Sequence, residues 1–203
     1  MMKYILPTLA LGILAGYLNN SFGIPLLNTI FSEHVFNFSL IALLFLMGLL
    51  FAADKQSMGQ IRKAKLKILL FPLAVALGSL SGGFIGGLIL RIDMLAAMGV
   101  CAGYGWYTLA GPLVGQLFGL EWGALAFIVN FLRELFTTVA TAIVVKVDKY
   151  APIAMGGATT MDTTLPIIMH YCGQDTLIIA FSSGFTLTMA APFTITGLSL
   201  IAH

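Results

Sequence analysis

The chain has 203 residues, of which 59% are hydrophobic and 9% charged. A soluble domain carries about a quarter charged residues, so the composition excludes a soluble enzyme or binding module and reads as an integral membrane protein. The net charge of +2 carries little by itself, because Lys55, Arg62, Lys63, Lys65 and Lys67 are gathered in one short loop, a pattern of cytoplasmic polypeptide rather than of a nucleic-acid patch.

A membrane helix needs about 20 mostly apolar residues. In chain order the candidate spans are 3–18, 36–53, 67–90, 121–145 and 174–201. The first has a basic start but no small-residue cleavage site after it, only Leu18-Asn19-Asn20, and reads as a membrane helix rather than a cleaved leader. The basic loop at 54–66 belongs in the cytoplasm. Lys3 is then inside, the 19–35 loop with Glu33 outside, and span 67–90 runs outward. Within that span Gly78, Gly82 and Gly86 repeat every four residues, the spacing of close helix packing.

Two segments, 94–118 and 151–171, are too broken for a plain helix and too apolar for an ordinary loop. The first holds Gly103-Tyr104-Gly105-Trp106-Tyr107-Thr108-Leu109-Ala110-Gly111-Pro112 and the second Gly156-Gly157-Ala158-Thr159-Thr160-Met161-Asp162-Thr163-Thr164-Leu165-Pro166. If 94–118 dips in and returns, span 121–145 runs inward and Lys146 and Lys149 are cytoplasmic, as charge bias prefers. Each span with its following hairpin then forms a unit, and the two units are inverted copies. The expected fold is an all-α polytopic membrane protein of about five transmembrane helices plus two re-entrant or broken helical segments. It is one transporter domain over 1–203, with two helices and the basic loop in 1–66 and the transport core in 67–203.

Irregular backbone is tolerated at membrane depth only where protein or a water-filled cavity satisfies its polar groups, so two such interruptions point to a transport site. Asp162, among Thr159, Thr160 and Thr163, is the sharpest candidate: a carboxylate with hydroxyls and freed carbonyls can hold an ammonium, H+ or Na+. The plainer reading is a helix cap, with Pro166 in the first turn. On span 121–145, Asn130, Arg133, Glu134, Thr137, Thr138 and Thr141 share one face. Arg133 and Glu134 either serve the site or lock helices together. Gly105, Trp106 and Tyr107 bring aromatic rings to the first interruption, where they hold a cation or serve as interfacial aromatics. Cys101 and Cys172 match no metal spacing, no cofactor motif is present, and no catalytic triad or paired-aspartate protease pattern is found.

The same residues carry a family likeness. Gly103 to Gly111 resembles the Gly-aromatic-Gly-Trp-Tyr-Ser segment of the LysO-type lysine exporters. Arg133-Glu134-Leu135 resembles their Arg-Glu-Leu, and Gly157 to Pro166 is similar to their Gly-Ala-Thr-Ser-Met-Asp-x-Thr-Leu-Pro signature. The resemblance implies a secondary exporter of L-lysine and toxic lysine analogues in the cell membrane, coupled to H+ or Na+, with a Na+ position near Asp162. Asp162 and Glu134 would meet the substrate amines, and Arg133 or a half-helix N-terminus its carboxylate. Ala110 departs from the family's serine. Longer members carry several helices before the matching part, which implies a homo-oligomer or a small separate membrane subunit here. The alternatives are a transporter of another small cation or organic ion, separable by substrate competition, and a non-transporting subunit, which has no need of two broken segments.

Overall fold

A computed structural model describes 70–202 continuously, with helical backbone from Leu66, and before that residues 7, 11–18, 35, 38, 41–42, 45–46 and 49. The chain divides into two compact units, Met1–Gly48 and Leu49–His203. In the first unit 11–18 is helical. Positions 7, 38, 41–42, 45–46 and 49 are helical too; the rest of the expected spans 3–18 and 36–53 and the loop up to residue 65 lie outside the described residues.

The second unit consists of α1 (Leu66–Leu90), α2 (Met94–Cys101), α3 (Tyr107–Phe118), α4 (Leu120–Val144), α5 (Ala151–Gly156), a 3-10 turn (Gly157–Met161), α6 (Leu165–Cys172), a short 3-10 turn (Gln174–Thr176) and α7 (Leu177–Ala202). Among the described residues three stretches, Leu70–Leu90, Leu120–Val144 and Gln174–Ala202, are long and apolar enough to cross a membrane, matching the expected spans 67–90, 121–145 and 174–201. At 1.5 Å per residue a 25-residue helix such as α4 reaches about 37 Å, beyond the ~30 Å hydrocarbon core. The 8 residues of α2 and 6 of α5 reach only about 12 and 9 Å.

Packing gives the direction of each piece. Gly87 of α1 lies against Met94 and Gly83 against Ala97 and Met98, so α2 turns back alongside α1. Gly115 and Gly111 of α3 lie against Gly123 and Phe127 of α4, and Phe118 reaches Gly99. The segment 94–118 therefore enters and leaves at the same end, as a re-entrant hairpin. At the other end Phe71, Val145, Tyr150, Ile153, Leu165, Ile168, Cys172 and Ala180 form one apolar cluster. The starts of α1, α5 and α7 and the ends of α4 and α6 are thus together, and the second hairpin enters from the end opposite to the first. Lys146 and Lys149 lie at this end, as does the start of α1, where the basic loop precedes.

Local chemistry explains the breaks. Asp93 caps α2 by accepting from the amides of Leu95 (2.8 Å) and Ala96 (3.0 Å). Proline sits in the first turn of both α5 and α6, where its missing N–H has no helical partner to lose. The turns out of α2 and α5 need left-handed backbone at Tyr104 (φ 52), Gly105 (φ 102) and Gly157 (φ 62). The α3–α4 contact is backbone on backbone: a Cβ on Gly123 would stand 2.6 Å from Gly115 Cα. Among the described residues Gly83 and Gly87 of α1 make the close contacts with α2, while the expected row Gly78, Gly82 and Gly86 meets nothing within 4 Å.

Candidate functional site

The two hairpin tips meet at mid-depth. Ala158 N–H donates to Tyr104 C=O at 2.8 Å, and a Cβ on Gly105 would come within 2.9 Å of the Gly156 carbonyl oxygen. α4 runs past both tips and serves both. Asn130, buried, donates through Nδ2 to the carbonyls of Val100 (2.9 Å) and Ala126 (2.8 Å), and its Oδ1 accepts from Gly105 N–H (2.7 Å). Three residues on, Arg133 donates from Nε to Met155 C=O (2.7 Å), from Nη2 to Ala154 C=O (3.0 Å) and from Nη1 to Ser79 Oγ of α1 (3.0 Å). The freed carbonyls that end α2 and α5 thus find donors on one helix face, as unsatisfied polar backbone in a membrane requires.

The threonines divide by role. Thr159 Oγ1 donates to Gly156 C=O (3.0 Å) and lies 3.2 Å from Thr164 Oγ1. Thr160 Oγ1 lies 2.7 Å from the Gly157 carbonyl oxygen and 2.8 Å from that of Ala180 on α7. Both are buried, and they hold the 3-10 turn. On α4 the hydroxyls of Thr137 and Thr141 return to the carbonyls of Arg133 and Thr137 at 2.7 and 2.6 Å, and Thr138 is exposed.

Four of the expected residues form a separate group. Asp162 Oδ1 accepts from Thr163 N–H at 2.6 Å, with Thr163 Oγ1 at 3.4 Å. Glu134 stands at hydrogen-bonding reach of Thr163 and Tyr107 and feels the Asp162 carboxylate through space. Its Oε2 is buried and has no hydrogen-bond partner among the described residues. Tyr107 is wedged edge-on against Phe127 and Phe131, with ring centroids 5.4 and 5.6 Å away, so its hydroxyl is held in place. Asp162 and Thr163 are exposed on this unit. A carboxylate at mid-membrane cannot face lipid without a cost of a few kcal/mol, so this face borders water or protein.

Asp162, Thr163, Glu134 and Tyr107 come together; Gly105, Asn130, Arg133, Thr159 and Thr160 build the tips behind them. Trp106 is half-buried at the start of α3, whose first turn it does not cap with its side chain. Sequence reasoning missed Ser79 and Tyr104. Ser79 carries no signal apart from its neighbours, but Tyr104 lies between two glycines in a segment already marked as irregular. At the basic end Lys149 forms an ion pair with Asp175, and that hydrogen bond holds the lysine amine above its ordinary range.

Comparison with known proteins places the chain in one family. A family model described as lysine exporter LysO matches residues 6–199. The lysine exporter LysO of Escherichia coli (strain K12) is 30% identical over 185 residues, covering 90% of this chain and 62% of that protein. A protein of Haemophilus influenzae (strain ATCC 51907 / DSM 11121 / KW20 / Rd) named "Putative lysine exporter" is 27% identical over 153 residues, covering 75% of this chain and 78% of its own. The chain therefore spans less than two thirds of the Escherichia coli relative's length. No solved structure matches.

Proposed function

Because this chain belongs to the lysine exporter LysO family, we propose that it exports L-lysine, and toxic lysine analogues, across the cell membrane as a secondary transporter coupled to H+ or Na+. The observation that carries the reading is the gathering of Asp162, Thr163, Glu134 and Tyr107 beside the meeting tips of two re-entrant hairpins. Two carboxylates suit a substrate with two amines, and the same carboxylates can take the coupling cation when the substrate leaves. A Na+ would find Asp162 Oδ1 and Thr163 Oγ1. The substrate carboxylate would meet the positive ends of the half-helices that begin at the tips. The loop at 54–66 and the end carrying Lys146 and Lys149 face the cytoplasm in this reading. A second copy or a small membrane subunit closes the exposed face that bears Asp162.

Lysine efflux from vesicles containing the purified full chain alone tests the proposal. Wild type empties lysine-loaded vesicles when an opposing H+ or Na+ gradient is supplied. Asp162→Asn keeps size and polarity, inserts normally and abolishes efflux. Glu134→Gln lowers efflux and flattens its pH dependence, because a titrating group is gone. Near-normal efflux in Asp162→Asn would reduce Asp162 to a helix cap. An unchanged pH profile with a large fall in Tm would make Glu134 structural.

A further inference from the structure

We infer that Arg133 is a positioning residue: its guanidinium clasps the second hairpin tip at the C-terminal carbonyls of α5, and so sets Asp162 and Thr163 opposite Glu134, instead of receiving the carboxylate of the transported molecule. The role in transport rests on the lysine-site reading above, but the clasp itself does not.

Three observations carry it. First, every nitrogen of the guanidinium is already engaged inside the fold, on Met155 C=O (2.7 Å), Ala154 C=O (3.0 Å) and Ser79 Oγ (3.0 Å). The fork that would take a carboxylate in two parallel bonds is spread over two backbone carbonyls. Those carbonyls end a helix, where the peptide dipoles leave negative charge, so the cation is matched without an acidic side chain.

Second, the guanidinium is enclosed by glycines. A Cβ on Gly157 would stand 3.1 Å from Nη2, 3.2 Å from Cζ and 2.2 Å from the Tyr104 carbonyl oxygen, while a Cβ on Gly105 would stand 3.7 Å from Arg133 Cδ. Both glycines have positive φ, 62° and 102°. The two tips are folded round the arginine, and a substrate carboxylate could reach it only by displacing them.

Third, the clasp and the site are one residue apart on α4 and a short arm apart on the hairpin. Arg133 and Glu134 are neighbours on α4, about 100° apart round the helix, so the first points at the tip while the second stands on its flank. On the hairpin, five 3-10 residues, Gly157–Met161, join α5 to Asp162. Ala158 is tied to Tyr104, and Thr160 to Ala180. Fixing Ala154 and Met155 on α4 therefore fixes where this short arm delivers Asp162 and Thr163 relative to Glu134. Lysine at 133 keeps the charge but lacks the planar fork that spans two carbonyls.

The test uses the full chain in vesicles, with Arg133→Lys and Arg133→Gln. The expected result is a fall in maximal efflux of 10-fold or more in Arg133→Lys and 100-fold or more in Arg133→Gln. The KM for lysine stays within about twofold of wild type. Competition by lysinamide, which has no carboxylate, keeps its wild-type ratio to lysine. A loss of 10-fold or more in lysine affinity with lysinamide unaffected would overturn the inference, because it would place the carboxylate on Arg133. A second readout needs no transport. In a background with Cys101 and Cys172 replaced by alanine, Met161→Cys at the half-buried tip reacts with a maleimide at least 10-fold faster once Arg133→Gln is added. Unchanged labelling would overturn the clasp. If wild type moves no lysine the functional proposal fails, while the labelling still decides the clasp. If Arg133→Gln is not monodisperse in detergent, Arg133→Lys carries both measurements.

Discussion

The two hairpins share a plan but differ in what they are made of. The first, α2 and α3, has longer arms of 8 and 12 residues and is packed on both sides by small residues. Its tip residues Ala102, Gly103, Tyr104 and Gly105 are buried, and a side chain from another helix, Asn130, meets its loose ends. The second, α5 and α6, has arms of 6 and 8 residues joined by a threonine-rich 3-10 turn. Its return carries Asp162 and Thr163 on an exposed face. The tip of the first hairpin is buried core that happens to be irregular, and the second presents the exposed Asp162 and Thr163 beside Glu134 and Tyr107. Damage to the first should therefore cost the fold, and damage to the second should cost transport.

The largest effect that can break this comparison is Gly103→Ala. Its Cβ would stand 2.5 Å from Ala110 Cβ and 2.7 Å from Asn130 Nδ2, with no flexible side chain to yield. We expect a loss of about 3 kcal/mol or more, at or above the top of the range usual for overpacked cores. It would be seen as a protein that does not give a monodisperse peak in detergent, whereas Asp162→Asn melts like wild type. A stable Gly103→Ala protein that has lost only transport would put the buried tip of the first hairpin, and not Tyr107 alone, in the working site.

Asn130→Ala should follow. It leaves Val100 C=O and Gly105 N–H without the partners now at 2.9 and 2.7 Å, and each orphaned buried group costs about 1–3 kcal/mol. Thermal melts in detergent should show a clear drop in Tm. Asn130→Asp keeps the acceptor for Gly105 but sets a carboxylate against the carbonyls of Val100 and Ala126, so its Tm should recover only as pH falls and the carboxyl is protonated. A Tm deficit in Asn130→Asp that does not change with pH would show that these bonds do not hold the first tip.

The sequence already carried the three long helices, because apolar length is a direct physical signal, and the two interruptions, because glycine, hydroxyl and proline clusters have no other place in lipid. Charge bias at Lys146 and Lys149 favoured the re-entrant arrangement. Division of labour within the polar face of α4 was less legible. Asn130, Arg133, Glu134 and Thr137 share a face by spacing, yet three of them look after backbone and only Glu134 reaches the group around Asp162. Helical periodicity places a side chain on a face but does not say which carbonyl it will meet, and that depends on turns whose left-handed residues include a tyrosine. The glycines on α1 are similar, since two interleaved rows at i+4 spacing differ only in which neighbour they find, and among the described residues it is Gly83 and Gly87 that meet α2.

The smallest effect sharpens the comparison at the edge of the second hairpin. Lys149, at the end of α4, pairs with Asp175 where the hairpin exits toward α7, and it lies 5.3 Å from the Tyr150 ring centroid. Both partners are solvent-facing, and exposed pairs of this kind contribute little. The bond raises the lysine above its ordinary range. Its contribution is therefore complete between the unfolded aspartate value, about 3.9, and the unfolded lysine value, about 10.4; it is lost as pH rises through the higher folded lysine value or falls through the lowered Asp175 value. Lys149→Met should leave Tm and efflux at neutral pH within the scatter of wild-type preparations. Any small difference between wild type and variant should fade above about pH 10 and below about pH 4. A marked loss of efflux in Lys149→Met at neutral pH would show that the exit of the second hairpin is held from this end as well as at its tip.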